Sequence, residues 1–266
     1  MMQRFTPWGI GFFDAEYGGL PTGRTAMLTG RSGSGKTTAI VQFILQGLQG
    51  GESALVLTAK NPDEFKRSAL PFGSGIDSFL ARGQLRLVGP DAAPSECTAD
   101  TAAARVEKLL AQISASGASH IAVDTLLPWV CPPPTENTES FLINLAPRIE
   151  KSGATVLLAL PSPASPASRL LRRTIERGTP VSVTLTREGQ NGRRFWEVCK
   201  YESHAIGQTV EFAVQPGMGV VRMASANPET SPQHPSPAAA QTAHGISEIL
   251  LPSRRFPLPG LGESAG

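Results

Sequence analysis

Residues 30–37 read GRSGSGKT, a full GxxxxGK[ST] pattern, and they follow the apolar run Ala26, Met27, Leu28 and Thr29. Glycines let a backbone wrap round an anion so that successive N–H groups point inward, and the N-terminus of the next helix adds its partial positive charge. The pattern therefore requires a buried strand before it and a helix after it. Both are written into the chain: 26–29 reads as strand, and apolar residues then fall at 39, 40, 41, 43, 44, 45 and 48. Such a helix is apolar on most faces, as one packed on a sheet must be. In this setting Lys36 is placed to reach the β- and γ-phosphates of a nucleoside triphosphate and the Thr37 hydroxyl to coordinate magnesium. Gly30, Arg31, Ser32, Gly33, Ser34, Gly35, Lys36, Thr37 and Thr38 form the expected cradle for ATP and Mg2+.

The rest of the chain alternates in the same way. Further strands are expected at 53–58, 84–88, 120–124 and 154–160, with helices opening at Asn61, spanning 98–116 and running from about 136 to 150. Apolar strands alternating with helices argue for a mostly parallel sheet covered on both faces. The pattern changes after residue 180: runs at 181–186, 194–199, 209–214 and 219–222 read as antiparallel hairpins finishing one edge. From Ala224 onward Pro, Ser, Ala, Gln and His dominate, so one domain is expected over 1–223 and a disordered tail over 224–266. Within that tail, 246–251 and 254–259 could dock on a protein partner that the sequence does not name.

Bulk properties set limits. The 266 residues are 40% hydrophobic and 17% charged, enough for a real core, and a net charge of +2 implies no global pull toward nucleic acid or anionic membrane. Cys97, Cys131 and Cys199 are too scattered for a disulfide framework or zinc site, and the four histidines lack HxxxH or HExxH spacing. No span of eighteen apolar residues and no signal-like N-terminus is present, so no membrane partner and a cytoplasmic location are expected.

An ATPase also needs an acid at the tip of a neighbouring strand to hold magnesium through water, and Asp124 ends the run Ile121, Ala122, Val123 as that role requires. With this acid the chain resembles the KaiC-like branch of the RecA superfamily, as a divergent single-domain member. The resemblance rests on the lead-in Gly9 to Asp14 with Gly18 to Gly23, on the loop and helix with Gln42 and Phe43, on 72–87, and on Asp124, Thr125 and Lys200. It spans roughly 5–222 and implies a RecA-like P-loop NTPase fold, ATP with Mg2+, and a homo-oligomeric ring or filament.

The departures from that family bear on chemistry. The resemblance implies a pair of glutamates after the second strand to activate water, but Ala59 and Lys60 stand there. Alanine cannot titrate and lysine is protonated near neutrality, so neither serves as a general base in the usual way. Asp63 and Glu64 are nearby substitutes, although acids in a helix's first turn are also favoured by the dipole alone. Polar residues implied at the end of the fifth strand are Ala159 and Leu160. A Lys-x-Arg pair implied to reach a neighbour's γ-phosphate is Lys200, Tyr201 and Glu202, with an acid that would repel phosphate.

Three functions are compatible with these residues. One is an ATP-binding regulatory or assembly protein with weak or absent hydrolysis, and another is an active ATPase with a non-standard base. The third is a RecA-like DNA-repair accessory factor, for which Arg169, Arg172, Arg173 and Arg177 at helical spacing could meet phosphates. Glu176 inside that stripe and the lack of an aromatic residue between Pro161 and Pro180 fit a solvated helix face equally. Trp8, Phe12 and Phe13 are read as core or subunit-contact residues.

Overall fold

Six runs become the parallel heart of one sheet, and strands buried on both faces need helices to cover them. The computed structural model describes residues 4–59, 61–73, 75–89, 99–130, 142–189, 192–202 and 204–223. A short ribbon, β1 (Phe5–Thr6) with β2 (Leu20–Pro21), frames helix α1 (Gly11–Tyr17). Then come β3 (Thr25–Gly30), α2 (Lys36–Gln49), β4 (Ala54–Thr58), α3 (Pro62–Ala69), α4 (Ile76–Ala81) and β5 (Leu85–Val88). They are followed by α5 (Ala99–Ser116), β6 (His120–Asp124), α6 (Leu127–Val130), α7 (Leu145–Glu150), β7 (Thr155–Pro161) and α8 (Pro166–Gly178). The chain closes on β8 (Val181–Glu188), β9 (Arg193–Tyr201), β10 (His204–Gln215) and β11 (Gly219–Arg222).

The main sheet has the order β11-β10-β9-β8-β3-β7-β6-β4-β5. Pairings from β8 through β3, β7, β6 and β4 to β5 are parallel, and β8, β9, β10 and β11 are joined antiparallel. The expected mixed α/β architecture with antiparallel edge hairpins is therefore present. Strand alternation divides the core in two: Ala26, Leu28, Val56, Leu157 and Ala159 face the α2 side, while Met27, Leu55, Leu57, Leu158 and Leu160 face α5, α7 and α8. β3 leads through α2 to β4, three places along the sheet past β7 and β6, whereas β7 leads through α8 to β8 on the other side of β3, so the connections diverge beside β3. Ligands in open α/β sheets bind at the carboxyl ends of strands at such a switch.

The lead-in is locked by specific contacts rather than by bulk burial. Asp14 on α1 accepts backbone N–H groups of Trp8 and Gly9, each at 2.8 Å, and burial holds its carboxyl above the usual range against those bonds. Gln42 on α2 donates to Gly9 O at 2.9 Å and accepts from Val220 N at 2.8 Å, tying lead-in, α2 and β11 together. Trp8 and Phe13 are fully buried against Trp196, while Phe12 is half-buried on the same ring, which gives these aromatics the core role expected.

Among the described residues no helix is long and apolar enough to cross a membrane. Lys60, Cys97, Cys131, the first part of the helix expected at 136–150 and the tail at 224–266 lie outside the described residues.

Candidate nucleotide site

Gly30 ends β3 fully buried, and the loop leaves the sheet there, exposing Arg31, Ser32 and Gly33 before it re-enters as α2. Gly33 (φ +73°) and Gly35 (φ +110°) both lie in the left-handed region, so the reversal needs residues without a Cβ. Gly35 is the N-cap of α2 and no side chain caps that end, which leaves the helix's first N–H groups to an outside acceptor. Ser34 Oγ is buried beside Gly30 without a hydrogen-bond partner in the described structure.

Lys36 Nζ donates to Gly30 O at 2.6 Å and Arg31 O at 2.9 Å, so the ammonium is folded back over the loop's mouth. Thr37 Oγ1 donates to Asp124 Oδ2 at 3.1 Å, and Asp124 is only 6% exposed. Thr38 follows, half-buried, in the first turn of α2. Three strand ends are cross-linked around this acid: Ala59 N donates to Asp124 O at 2.6 Å, and Thr125 Oγ1 and Leu126 N donate to Ala159 O at 3.1 and 2.8 Å. The loop at 30–38 and Asp124 thus meet at one strand-end crevice.

The other candidates sit elsewhere. Asp63 and Glu64 are exposed in the first turn of α3, where the Asn61 side chain accepts from Asp63 N at 2.9 Å and Asp63 lies 3.5 Å from Lys66. Those contacts are helix-terminal ones, and none of them joins either acid to the loop. Ala159 and Leu160 are buried on opposite faces of β7, one in each core. Lys200 Nζ donates to Glu176 O at 2.8 Å and Arg177 O at 3.3 Å, so within this chain it closes the C-terminus of α8; burial holds its pKa below the ordinary lysine value. Of the arginine stripe, Arg172 turns inward to Thr184 Oγ1 at 3.3 Å and Glu176 at 3.7 Å, and Arg169, Arg173 and Arg177 are exposed.

Two arginines that the sequence reading passed over do meet the loop. Arg194 Nε on β9 approaches Gly33 O at 3.4 Å, and the Arg187 guanidinium on β8 lies 3.5 Å from where a Gly33 side chain would begin. Only the register of the β8–β9 hairpin, which sets Arg187 opposite Arg194, brings them together.

A glycine cradle, a lysine, and hard oxygen ligands from Thr37 and Asp124 suit a nucleoside triphosphate with Mg2+. Fold and site together define a RecA-type P-loop nucleotide-binding protein.

Comparison with known proteins narrows that class. The family model "ATPase: KaiC" matches residues 6–224, and the chain belongs to the KaiC family of ATPases. It is similar to the circadian clock oscillator protein KaiC of Thermostichus vulcanus, at 32% identity over 121 residues, 44% of this chain and 23% of that protein. Against KaiC of Acaryochloris marina identity is 26% over 211 residues, 74% of this chain and 40% of the relative. The chain therefore spans less than half the length of these curated relatives. A KaiC-like protein of the hyperthermophilic archaeon Pyrococcus horikoshii shares the fold, with a TM-score of 0.67, 23% identity, and coverage of 84% of this chain and 100% of that one.

Proposed function

We infer that this chain binds ATP with Mg2+, turns it over slowly at most, and works as a nucleotide-dependent regulatory or assembly element. One contrast carries the reading. Lys36, Thr37 and Asp124 lie at one crevice, whereas the positions where the resemblance implies hydrolytic groups hold Ala59, Ala159 and Leu160. Bound magnesium would neutralise phosphate charge. This chain's own residues would do the rest: α2's N-terminus and the loop N–H groups grip phosphate, Lys36 releases Gly30 O and Arg31 O to reach it, and Asp124 orients Thr37. Buried apolar side chains on β7 offer no group to accept a proton from water.

A non-standard base at Asp63 or Glu64 gains no support from exposed helix-cap positions, and the exposed Arg169, Arg173 and Arg177 are no more than a solvated face would present. Assembly into a homo-oligomer belongs to the proposal because the family is one of RecA type. With Glu202 in place of the expected arginine, any such assembly would be held by contacts other than shared phosphate. Size-exclusion chromatography with light scattering, with and without Mg-ATP, tests it: a change of mass with ATP that Lys36→Ala abolishes is expected. A mass indifferent to nucleotide would contradict the assembly role.

A further inference from the structure

The tip of the β8–β9 hairpin has two faces with opposite electrostatic logic. On one, Glu188 stands directly opposite Arg193, whose guanidinium is also held by Glu211 on β10, with Nε to Oε1 at 2.7 Å. That face is charge-paired. On the other, Arg187 stands directly opposite Arg194, and among the described residues no acid pairs with either guanidinium. Like charges directly opposite each other on a hairpin destabilise it unless something outside compensates.

The unpaired face is turned toward the loop at residues 30–37. Arg194 Nε approaches Gly33 O at 3.4 Å, too long for a strong hydrogen bond, so it is not satisfied there. Arg187 is seated more closely. A side chain on Gly33 would begin 3.5 Å from its Nη1, and one on Gly192 would begin 2.8 Å from its Nε and Nη2. The exposed guanidinium therefore lies beside two glycines, one from the phosphate loop and one from the hairpin. Exposed Arg31, Lys36 and the uncapped N-terminus of α2 are at the same loop, and Asp124, the acid that meets it, is already engaged by Thr37.

We propose that Arg187 is a phosphate-binding residue, supplying from the same chain a guanidinium to the triphosphate tail held by the loop, with Arg194 as its electrostatic second. A planar fork with several donors suits phosphate oxygens, and anion binding relieves the Arg187–Arg194 repulsion that the free protein carries. The inference rests on the nucleotide-binding reading above and extends it to a residue outside the loop motif. It also predicts a larger contribution to ATP than to ADP binding, because ATP carries one more phosphate and more negative charge for the guanidinium to meet.

The test is calorimetric titration of the full chain, Arg187→Gln and Arg187→Lys with Mg-ATP, Mg-ADP and inorganic tripolyphosphate, alongside melting of each free protein. Loss of one charge-assisted contact should weaken ATP binding by about ten- to a hundredfold in Arg187→Gln, with partial recovery in Arg187→Lys. ADP should lose less, and the free variant should melt no lower than the parent because a like-charge pair has been relieved. ATP affinity within about twofold of the parent in Arg187→Gln would overturn the proposal. So would equal loss in both variants accompanied by lower melting, which would mark a structural role. If the parent binds tripolyphosphate but not ATP, nucleotide binding fails while Arg187 is still tested, through loss of tripolyphosphate binding in Arg187→Gln. If the parent binds neither, both readings fall.

Discussion

Gly30→Ala should damage fold and site together, for reasons that can be worked from contacts. A Cβ at Gly30 would meet Ser34 Oγ at 2.5 Å, Leu185 O at 2.7 Å and Leu185 Cβ at 3.1 Å. The serine hydroxyl can rotate away. Leu185 O cannot, because Gly30 and Leu185 are register partners in the β3–β8 ladder and both are fully buried. The strand end must therefore shift by a few tenths of an ångström in a close-packed core, which places the change in the upper part of the overpacking range, about 2–3 kcal/mol. For a folded unit of this size each kcal/mol lowers the melting temperature by roughly 2–4 °C, so a fall of about 4–12 °C is expected. Gly30 O also accepts from Lys36 Nζ at 2.6 Å and Ser162 N at 3.1 Å, so the shift carries the lysine with it. ATP affinity should drop about tenfold or more. Thermal melting by circular dichroism and calorimetric ATP titration read the two effects, with Gly11→Ala as the control because nothing lies within 4 Å of its added methyl. A Gly30→Ala protein that melts with the parent and binds ATP equally would refute the packing argument.

Two further outcomes follow from the same structure. Ala59 is joined by its N–H to Asp124 O at 2.6 Å, so Ala59→Glu puts a carboxylate at the crevice. Turnover should rise by up to about a hundredfold if a missing general base is what limits it, and an unchanged rate of phosphate release would show that the deficit lies elsewhere. His120 is buried against Phe43, and burial lowers its pKa while the Glu52 carboxylate, 2.7 Å from Nδ1, pulls it back up. The unfolded chain then takes a proton near pH 6.5 and the folded chain only below that, so this contribution is complete above about pH 6.5 and is lost as pH falls through the folded value. Melting temperature should decline as pH falls below about 6.5, and less so in His120→Gln; parallel profiles for the two proteins would remove His120 as the cause.

How much of this could be read from the chain varies with how local each signal is. The strand, loop and helix around Lys36 are written in adjacent residues, because the glycines and the apolar runs fix the backbone wherever the rest of the chain goes. Asp124 was legible because an apolar run ending in an acid has few other uses beside such a loop. Gln42 could be placed on the helix, but its bonds to Gly9 O and Val220 N span the sheet and follow from no spacing. The resemblance implies that Lys200 reaches a phosphate bound by a neighbouring subunit; within this chain its ammonium closes α8, a contact set by how β9 runs past that helix. Arg172 belongs by periodicity to a basic stripe, yet it turns inward because Thr184 and Glu176 offer it partners. Arg187 and Arg194 escaped notice because only the hairpin register sets them face to face.

ATP affinity and turnover measured on one preparation test the central claim most directly. Mg-ATP should bind, binding should vanish in Lys36→Ala, and phosphate release should fall far below the roughly 1–1,000 per second of ordinary enzymes. Turnover inside that range and abolished by Lys36→Ala, or no binding of ATP at all, would contradict it.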